Sequence, residues 1–290
     1  MSIGERLKLY AQLMRLDKPI GILLLLWPMM WGLWFAARGI PDWHILVIFV
    51  LGTILMRSAG CVINDFADRN IDPHVERTKN RPMAAGKLKS KEAVLLAAGL
   101  SLCAFLLILP LNQFTILLSV PALFLAGTYP FTKRFFAMPQ AYLGIAFGFG
   151  IPMAFAAQTN SLPSYSWILM MANLFWVIAY DTVYAIVDKP DDLKIGIQTS
   201  AITLGRFDVL GVMLCHSMFI AIMLMIGFMQ GMGMFYYVGL AVATGLILYQ
   251  YTLIRNRDRS LCFKAFLHNN WVGMVVFLGI ALDFLGYQII

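Results

Sequence analysis

The chain has 290 residues, of which 60% are hydrophobic and 13% charged, with a net charge of +7 and a mean hydropathy of +0.77. Soluble domains carry roughly 25% charged residues, so the composition excludes a soluble globular protein and describes an integral membrane protein. The positive balance does not call for a nucleic acid; a basic face also attracts anionic lipid and phosphorylated substrates.

Apolar segments close to the ~20 residues that cross a bilayer as helix occur at 20–36, 43–63, 93–109, 114–131, 139–157, 166–187, 208–228, 234–254 and 271–290. None shows the alternation of a membrane barrel strand, so the chain is predicted to be all-α and polytopic, with nine transmembrane helices in a single domain over residues 1–290. If Met1 starts inside, the inner segments hold 20 of the 22 Lys and Arg residues, with Arg38 outside and Arg57 within a span. The positive-inside rule then places the N-terminus in the cytoplasm and the C-terminus in the periplasm. The first span is long for a signal h-region and eight more follow, so no cleaved signal is expected. With no obvious organelle presequence, a bacterial inner membrane is the expected location.

Span 1 places Trp27, Trp31 and Trp34 on one face, either lining an apolar tunnel or packing against other helices. Span 2 carries Arg57, a charge costly to insert and therefore expected to face a partner or cavity. On a continuous helix it lies on the face of Asp68 and roughly 16 Å deeper. Bidentate recognition of a substrate carboxylate and a structural pairing are the two readings of Arg57.

Span 2 runs into the first acidic cluster, NDFADRNID, in a loop at about 64–92. At 100° per residue Asp65, Asp68 and Asp72 fall at about 0°, 300° and 340°, so a helix continued past the bilayer would align all three. Asn64 sits beside them. The loop continues through Arg69, Arg77, Lys79 and Arg81, and span 4 ends at Tyr129, Lys133 and Arg134. In span 5, Gly144 and Gly148 suit close helix packing. Span 6 leads into the second cluster, DTVYAIVDKPDD, in a region at about 181–206, with Asp181, Tyr184 and Asp188 at the same three angles. Pro190 predicts a kink or helix end near Lys189, leaving Asp191 and Asp192 in a loop before Lys194. Spans 7 and 8 carry Met223, Met225, Met229, Met232 and Met234, a second choice between tunnel and packing.

Several carboxylates set against basic loops suit a hard, oxygen-seeking cation. Magnesium takes one or two carboxylates together with water and phosphate oxygens. A diphosphate bridged through Mg2+ to both clusters is the ligand this pattern predicts. Arg69, Lys79, Arg81, Lys133, Arg134 and Lys194 are candidate diphosphate contacts, although topology alone also places basic residues there. Tyr129, Tyr180 and Tyr184 are either carbocation-stabilising rings or interfacial anchors. Cys61, Cys103, Cys215 and Cys262 lack paired spacing, and His44, His74, His216 and His268 lack metal-ligand spacing.

The chain resembles the UbiA-type membrane prenyltransferases. The likeness rests on Leu16 to Trp34, on MRSAGCVINDFADRNID, on RTKNRP (Arg77 to Pro82), and on YPFTKR (Tyr129 to Arg134). It continues through GIPMAFAA and DTVYAIVDKPDDLKIGIQT to CFKAFLHNNWVG (Cys262 to Gly273). The resemblance implies a UbiA-type helical bundle that binds Mg2+ and an isoprenoid diphosphate. The metal set it implies is Asn64, Asp65, Asp68, Asp72, Asp188 and Asp192, with Asp181, Tyr184 and Asp191 alongside. The branch it most resembles acts on 4-hydroxybenzoate in ubiquinone synthesis, so the implied substrates are polyprenyl diphosphate and 4-hydroxybenzoate. Other aromatic acceptors (a naphthoate, homogentisate or haem) and an ion-coupled transporter are the alternatives.

Overall fold

The computed structural model describes residues 2–287. A short helix α1 (Ile3–Leu13) precedes α2 (Ile20–Ala37), α3 (Trp43–Ala67), α4 (Ser90–Ile108) and α5 (Gln113–Thr132). They are followed by α6 (Pro139–Gly148), α7 (Gly150–Thr159), α8 (Ser164–Ile195), α9 (Ser200–Leu204), α10 (Asp208–Gln230), α11 (Met234–Ile254) and α12 (Arg259–Tyr287). Among the described residues there is no strand, and nine helical stretches are long and apolar enough to cross a membrane, with α6–α7 and α9–α10 each counted as one.

Helix α1 starts with a capping box in which Ser2 Oγ accepts from the Glu5 amide and Glu5 accepts from the Ser2 amide. Arg6 pairs with Glu92 and Tyr10 Oη donates to the same carboxylate at 3.1 Å, which ties α1 to the start of α4. Buried Leu13 completes the contact with Val62 and Met83. The chain then turns back at Arg15, whose φ of 58° lies in the left-handed region that non-glycine residues seldom adopt.

The centre of the bundle is aromatic. Trp31 stacks on Phe219 and meets Trp176, while Trp27 and Trp34 both meet Phe277 of α12. This settles the span 1 tryptophans as helix packing. Met223 and Met232 are buried in the same core, and Met225, Met229 and Met234 are exposed on the outer surface. A protein without a membrane would not expose apolar side chains so freely; here they face the lipid.

Three expectations about helix ends require correction. The first cluster is not one helical face: α3 stops at Ala67, Asp68 caps it at φ −94° and ψ 5°, and Asp72 opens a separate 3-10 turn (Asp72–His74). Pro73 stands in the first positions of that turn, where its missing amide hydrogen costs nothing. The second cluster shows the reverse. Helix α8 runs through Pro190 to Ile195, so Asp191 and Asp192 are helical and the cap falls at Gly196, in the left-handed region at φ 77°. The last span begins at Arg259 rather than 271, since its first turns are a polar helix outside the apolar run, and its final residues 288–290 lie outside those described.

Small residues set one contact that shapes the site. A Cβ on Gly144 would sit 2.6 Å from Leu174 Cδ1 and 3.2 Å from the Leu174 carbonyl, so α6 lies directly on α8. Gly144→Leu is expected to cost about 1–3 kcal/mol through overpacking. Gly52→Ala, whose Cβ meets nothing within 4 Å, should stay near wild type. Unfolding of the detergent-solubilised protein measures both.

Candidate active site

The carboxylates of the first cluster are buried where α3 leaves the bundle, with Asp65, Asp68 and Asp72 at 1%, 2% and 4% exposure. Carboxylates cannot be left there unpaired, and each has a basic partner. Arg15 Nη2 donates to both oxygens of Asp65, at 2.7 and 2.9 Å. Arg81 Nη1 donates to Asp65 at 3.1 Å and Asp72 at 3.0 Å, so one guanidinium joins two aspartates that the chain break separates. Lys133, at the end of α5, pairs with Asp68 Oδ2. Burial raises the Asp68 carboxyl above the ordinary range, and Lys133 opposes that rise.

The second cluster meets the first through Arg77. This residue of the 68–89 loop donates from Nε to Asp188 Oδ1 at 3.0 Å, pairs through Nη2 with Oδ2, and lies 4.3 Å from the Tyr184 ring centre. Two segments more than a hundred residues apart thus share one end of the bundle. Asp192 is buried one turn beyond Asp188 on the same side of α8, as continuation of the helix through Pro190 requires.

A cavity of about 930 Å³ opens beside these pairs. Its polar end is lined by Arg15, Asn64, Asp65, Arg77 and Arg81, and further in by Arg57, Tyr129, Tyr180, Asp181 and Tyr184. From there it continues into an apolar channel between α3, α4, α5 and α7, past Gly52, Ala104, Ala122 and Met153. Arg57 donates through Nε to the Gly21 carbonyl at 3.2 Å and through Nη1 to Cys61 Sγ at 2.7 Å. A Cβ at position 21 would stand 2.7 Å from Arg57 Nη2, so glycine there makes room for the guanidinium. Neither contact neutralises the charge of Arg57.

A buried anionic–cationic rim over a long apolar channel is a site for an amphiphile with a charged head. The UbiA prenyltransferase family matches residues 25–274. The chain belongs to this family. A 4-hydroxybenzoate octaprenyltransferase of Nitrosospira multiformis is 70% identical over 285 residues, covering 98% of each chain. A UbiA homologue from Aeropyrum pernix has the same fold, with a TM-score of 0.79 and 25% identity over 90% of this chain and 97% of its own. Another, from Archaeoglobus fulgidus and described as bound to GPP and Mg2+, shares the fold at a TM-score of 0.70 and 17% identity, covering 92% and 99%.

Seen against this UbiA bundle, the expected site residues divide. Arg57, Asn64, Asp65, Arg81, Tyr129, Asp181 and Tyr184 line the cavity, Asp68, Asp72, Asp188 and Asp192 are buried around its polar end, and half-buried Lys133 reaches that end through Asp68. Five others turn elsewhere. Arg69 is exposed against Phe66, Lys79 pairs with Glu76, and Lys194 is largely exposed beside Asp191. Asp191 pairs with Arg259. Arg134 donates to the Ala67 carbonyl at 2.6 Å and so caps α3 from outside the cavity. Arg15 and Arg77 went unassigned in the sequence. Arg77 opens the RTKNRP block and Arg15 directly precedes the Leu16 to Trp34 block, which is the signal that was available.

The donor set suits the magnesium that the family implies. Asp68 Oδ1 is buried without a hydrogen-bond donor while its other oxygen takes Lys133, and a hard cation satisfies such an oxygen. Among the described residues no three acidic, histidine or cysteine side chains form a ready-made cage; magnesium asks the protein for only one or two carboxylates when phosphate supplies the rest.

Removing a cation from the buried pairs should be far more damaging than removing an exposed one. Arg77→Ala and Arg81→Ala are expected to lower prenyl transfer on the order of 100-fold or more. Lys79→Ala and Lys194→Ala should stay within about twofold, since exposed pairs contribute little. Initial rates in membranes, normalised to protein amount, provide the comparison.

Proposed function

We propose that this chain transfers a polyprenyl group from polyprenyl diphosphate to the ring of 4-hydroxybenzoate. The products are 3-polyprenyl-4-hydroxybenzoate and diphosphate, a step of ubiquinone biosynthesis. One observation supports the reading: a single cavity is lined by the cationic–anionic rim, by Arg57 and by the apolar side chains of a channel. A diphosphate, an aromatic acid and an isoprenoid tail need these surroundings. The near full-length relative names the acceptor and the transferred group.

Arg77, Arg81, Lys133 and Arg15 hold the leaving diphosphate by charge-assisted hydrogen bonds. Asn64, Asp65, Asp68, Asp72, Asp188 and Asp192 are the oxygen donors for Mg2+, which when bound supplies further positive charge to the leaving group. As the allylic carbon–oxygen bond ionises, Tyr129, Tyr180 and Tyr184 present their rings to the carbocation. Arg57 grips the carboxylate of 4-hydroxybenzoate and turns the carbon next to the hydroxyl toward the cation. Asp181 lines the same acceptor pocket. Attack by the ring and loss of its proton restore aromaticity, while the channel beside Gly52 and Ala122 takes the tail. We place the protein in a bacterial inner membrane with this site toward the cytoplasm, where the basic loops belong.

Two measurements test the proposal. With labelled prenyl diphosphate and 4-hydroxybenzoate, Asp65→Asn and Asp188→Asn should lose most transfer at any magnesium concentration, and full activity in both would end the metal assignment. Arg57→Ala should raise the KM for 4-hydroxybenzoate by about 10–100-fold, the loss of a hydrogen bond to a charged group. It should leave the KM for prenyl diphosphate nearly unchanged. Equal effects on both substrates would remove Arg57 from the acceptor pocket.

A further inference from the structure

Pro190 removes a helix hydrogen bond within the acidic end of α8, yet the helix continues and Asp188 and Asp192 stay buried on the site side. The two residues flanking the proline show how. Taking the direction midway between Asp188 and Asp192 as the front of the helix, Lys189 lies about 80° to one side, Asp191 about 80° to the other, and Pro190 behind. Both lateral residues are fastened to other parts of the chain. Lys189 Nζ donates to Asp208 Oδ2 and to the Gly205 carbonyl, each at 2.8 Å. Asp191 Oδ2 accepts from Arg259 Nη2 at 2.9 Å.

Asp208 is built to hold its side of this arrangement. It is wholly buried at the start of α10, and its Oδ1 accepts from the Val209 amide at 2.7 Å and from Arg257 Nε at 2.8 Å. Arg257 also donates to the Arg206 carbonyl at 2.8 Å, and it does so from a backbone φ of 57°. A non-glycine residue in this region is costly and is kept only where its surroundings demand it. None of Lys189, Asp208, Arg257 or Arg259 lines the cavity.

We infer that Lys189 with Asp208, just before Pro190, and Asp191 with Arg259, just after it, are positioning residues that fix the rotation of α8 across the proline. They thereby keep Asp192 in line with Asp188, at the angle needed to receive metal and diphosphate. The inference rests on the proposed role of those two aspartates. Without the anchors the proline is a swivel, and a turn of the last segment by one residue's angle carries Asp192 out of line with Asp188.

The test measures metal binding apart from turnover. Mg2+ is titrated by calorimetry into purified protein saturated with geranyl S-thiolodiphosphate, an unreactive allylic analogue. Lys189→Met is expected to weaken Mg2+ binding several-fold, Arg259→Met, whose pair is exposed, by about twofold, and the double variant about 10–100-fold, the usual effect of losing groups that orient metal ligands. Lys189→Arg should restore most of the single-variant loss, and the KM for 4-hydroxybenzoate should not move. These variants leave Asp208 paired with Arg257, which protects the fold. A double variant that binds Mg2+ within twofold of wild type, even with a lower Tm, overturns the positioning role and leaves the proposed function standing. Failure of the wild type to bind Mg2+ with the analogue overturns both.

Discussion

Carboxylates buried at the edge of a membrane bundle are costly unless paired, and four of those at this site are paired with arginine or lysine. Asp65, Asp68, Asp72 and Asp188 each meet such a partner, and the partners come from the α1–α2 turn, the 68–89 loop and the end of α5. The pairs therefore hold the polar end of the bundle together. They also set up the chemistry. A cation that balances a buried carboxylate is already placed to balance a phosphate, and an aspartate released from it is available to a divalent ion. Pairing of this kind contributes less to stability than its distances suggest, because desolvation offsets much of the attraction. Its value lies in arranging opposite charges around the polar end of the cavity.

The rest of the molecule makes that space one-sided. Aromatic packing of α2 against α8, α10 and α12 closes the interior behind the site, while the cavity extends the other way along α3, α4, α5 and α7. Helix α8 is the most enclosed span and α5 the least. The enclosed wall thus carries the second aspartate pair, and the wall with the most outward-facing surface borders the apolar channel. Arg57 stands between these regions, where Gly21 leaves it room. In the proposed reaction, an acceptor held by Arg57 would meet the allylic carbon at the junction of wet head and dry tail.

Much of this was legible in the sequence because a bilayer imposes a strong pattern. Nine apolar segments, the clustering of aspartate at two helix ends and the isolated charge of Arg57 are all visible without coordinates. Local geometry was less so. The first helix ends at Ala67 although the aspartate spacing suits a helix, and Pro190 does not end the second although proline usually would. Tertiary ion pairs, invisible in the sequence, accompany both cases: Arg81 gathers Asp65 and Asp72 across the break, and Lys189 and Asp191 are held on either side of Pro190. Loop sequence also gives no sign of which basic residues turn inward. Arg77 and Lys79 are neighbours in one motif, yet one reaches Asp188 and the other pairs with Glu76 in solvent. The tryptophans of span 1 are ambiguous for a related reason, since tunnel and core are lined by the same residue types.

In the proposed reaction the cations now paired with the aspartates are those that take the diphosphate. The decisive measurement is an experimental structure of the protein with geranyl S-thiolodiphosphate and Mg2+. Arg77 and Lys133 should then touch phosphate oxygens, carboxylates of both clusters should hold Mg2+, and the geranyl chain should lie in the channel beside Gly52. A diphosphate bound away from these pairs, with Arg77 still on Asp188 and Lys133 still on Asp68, would contradict that assignment.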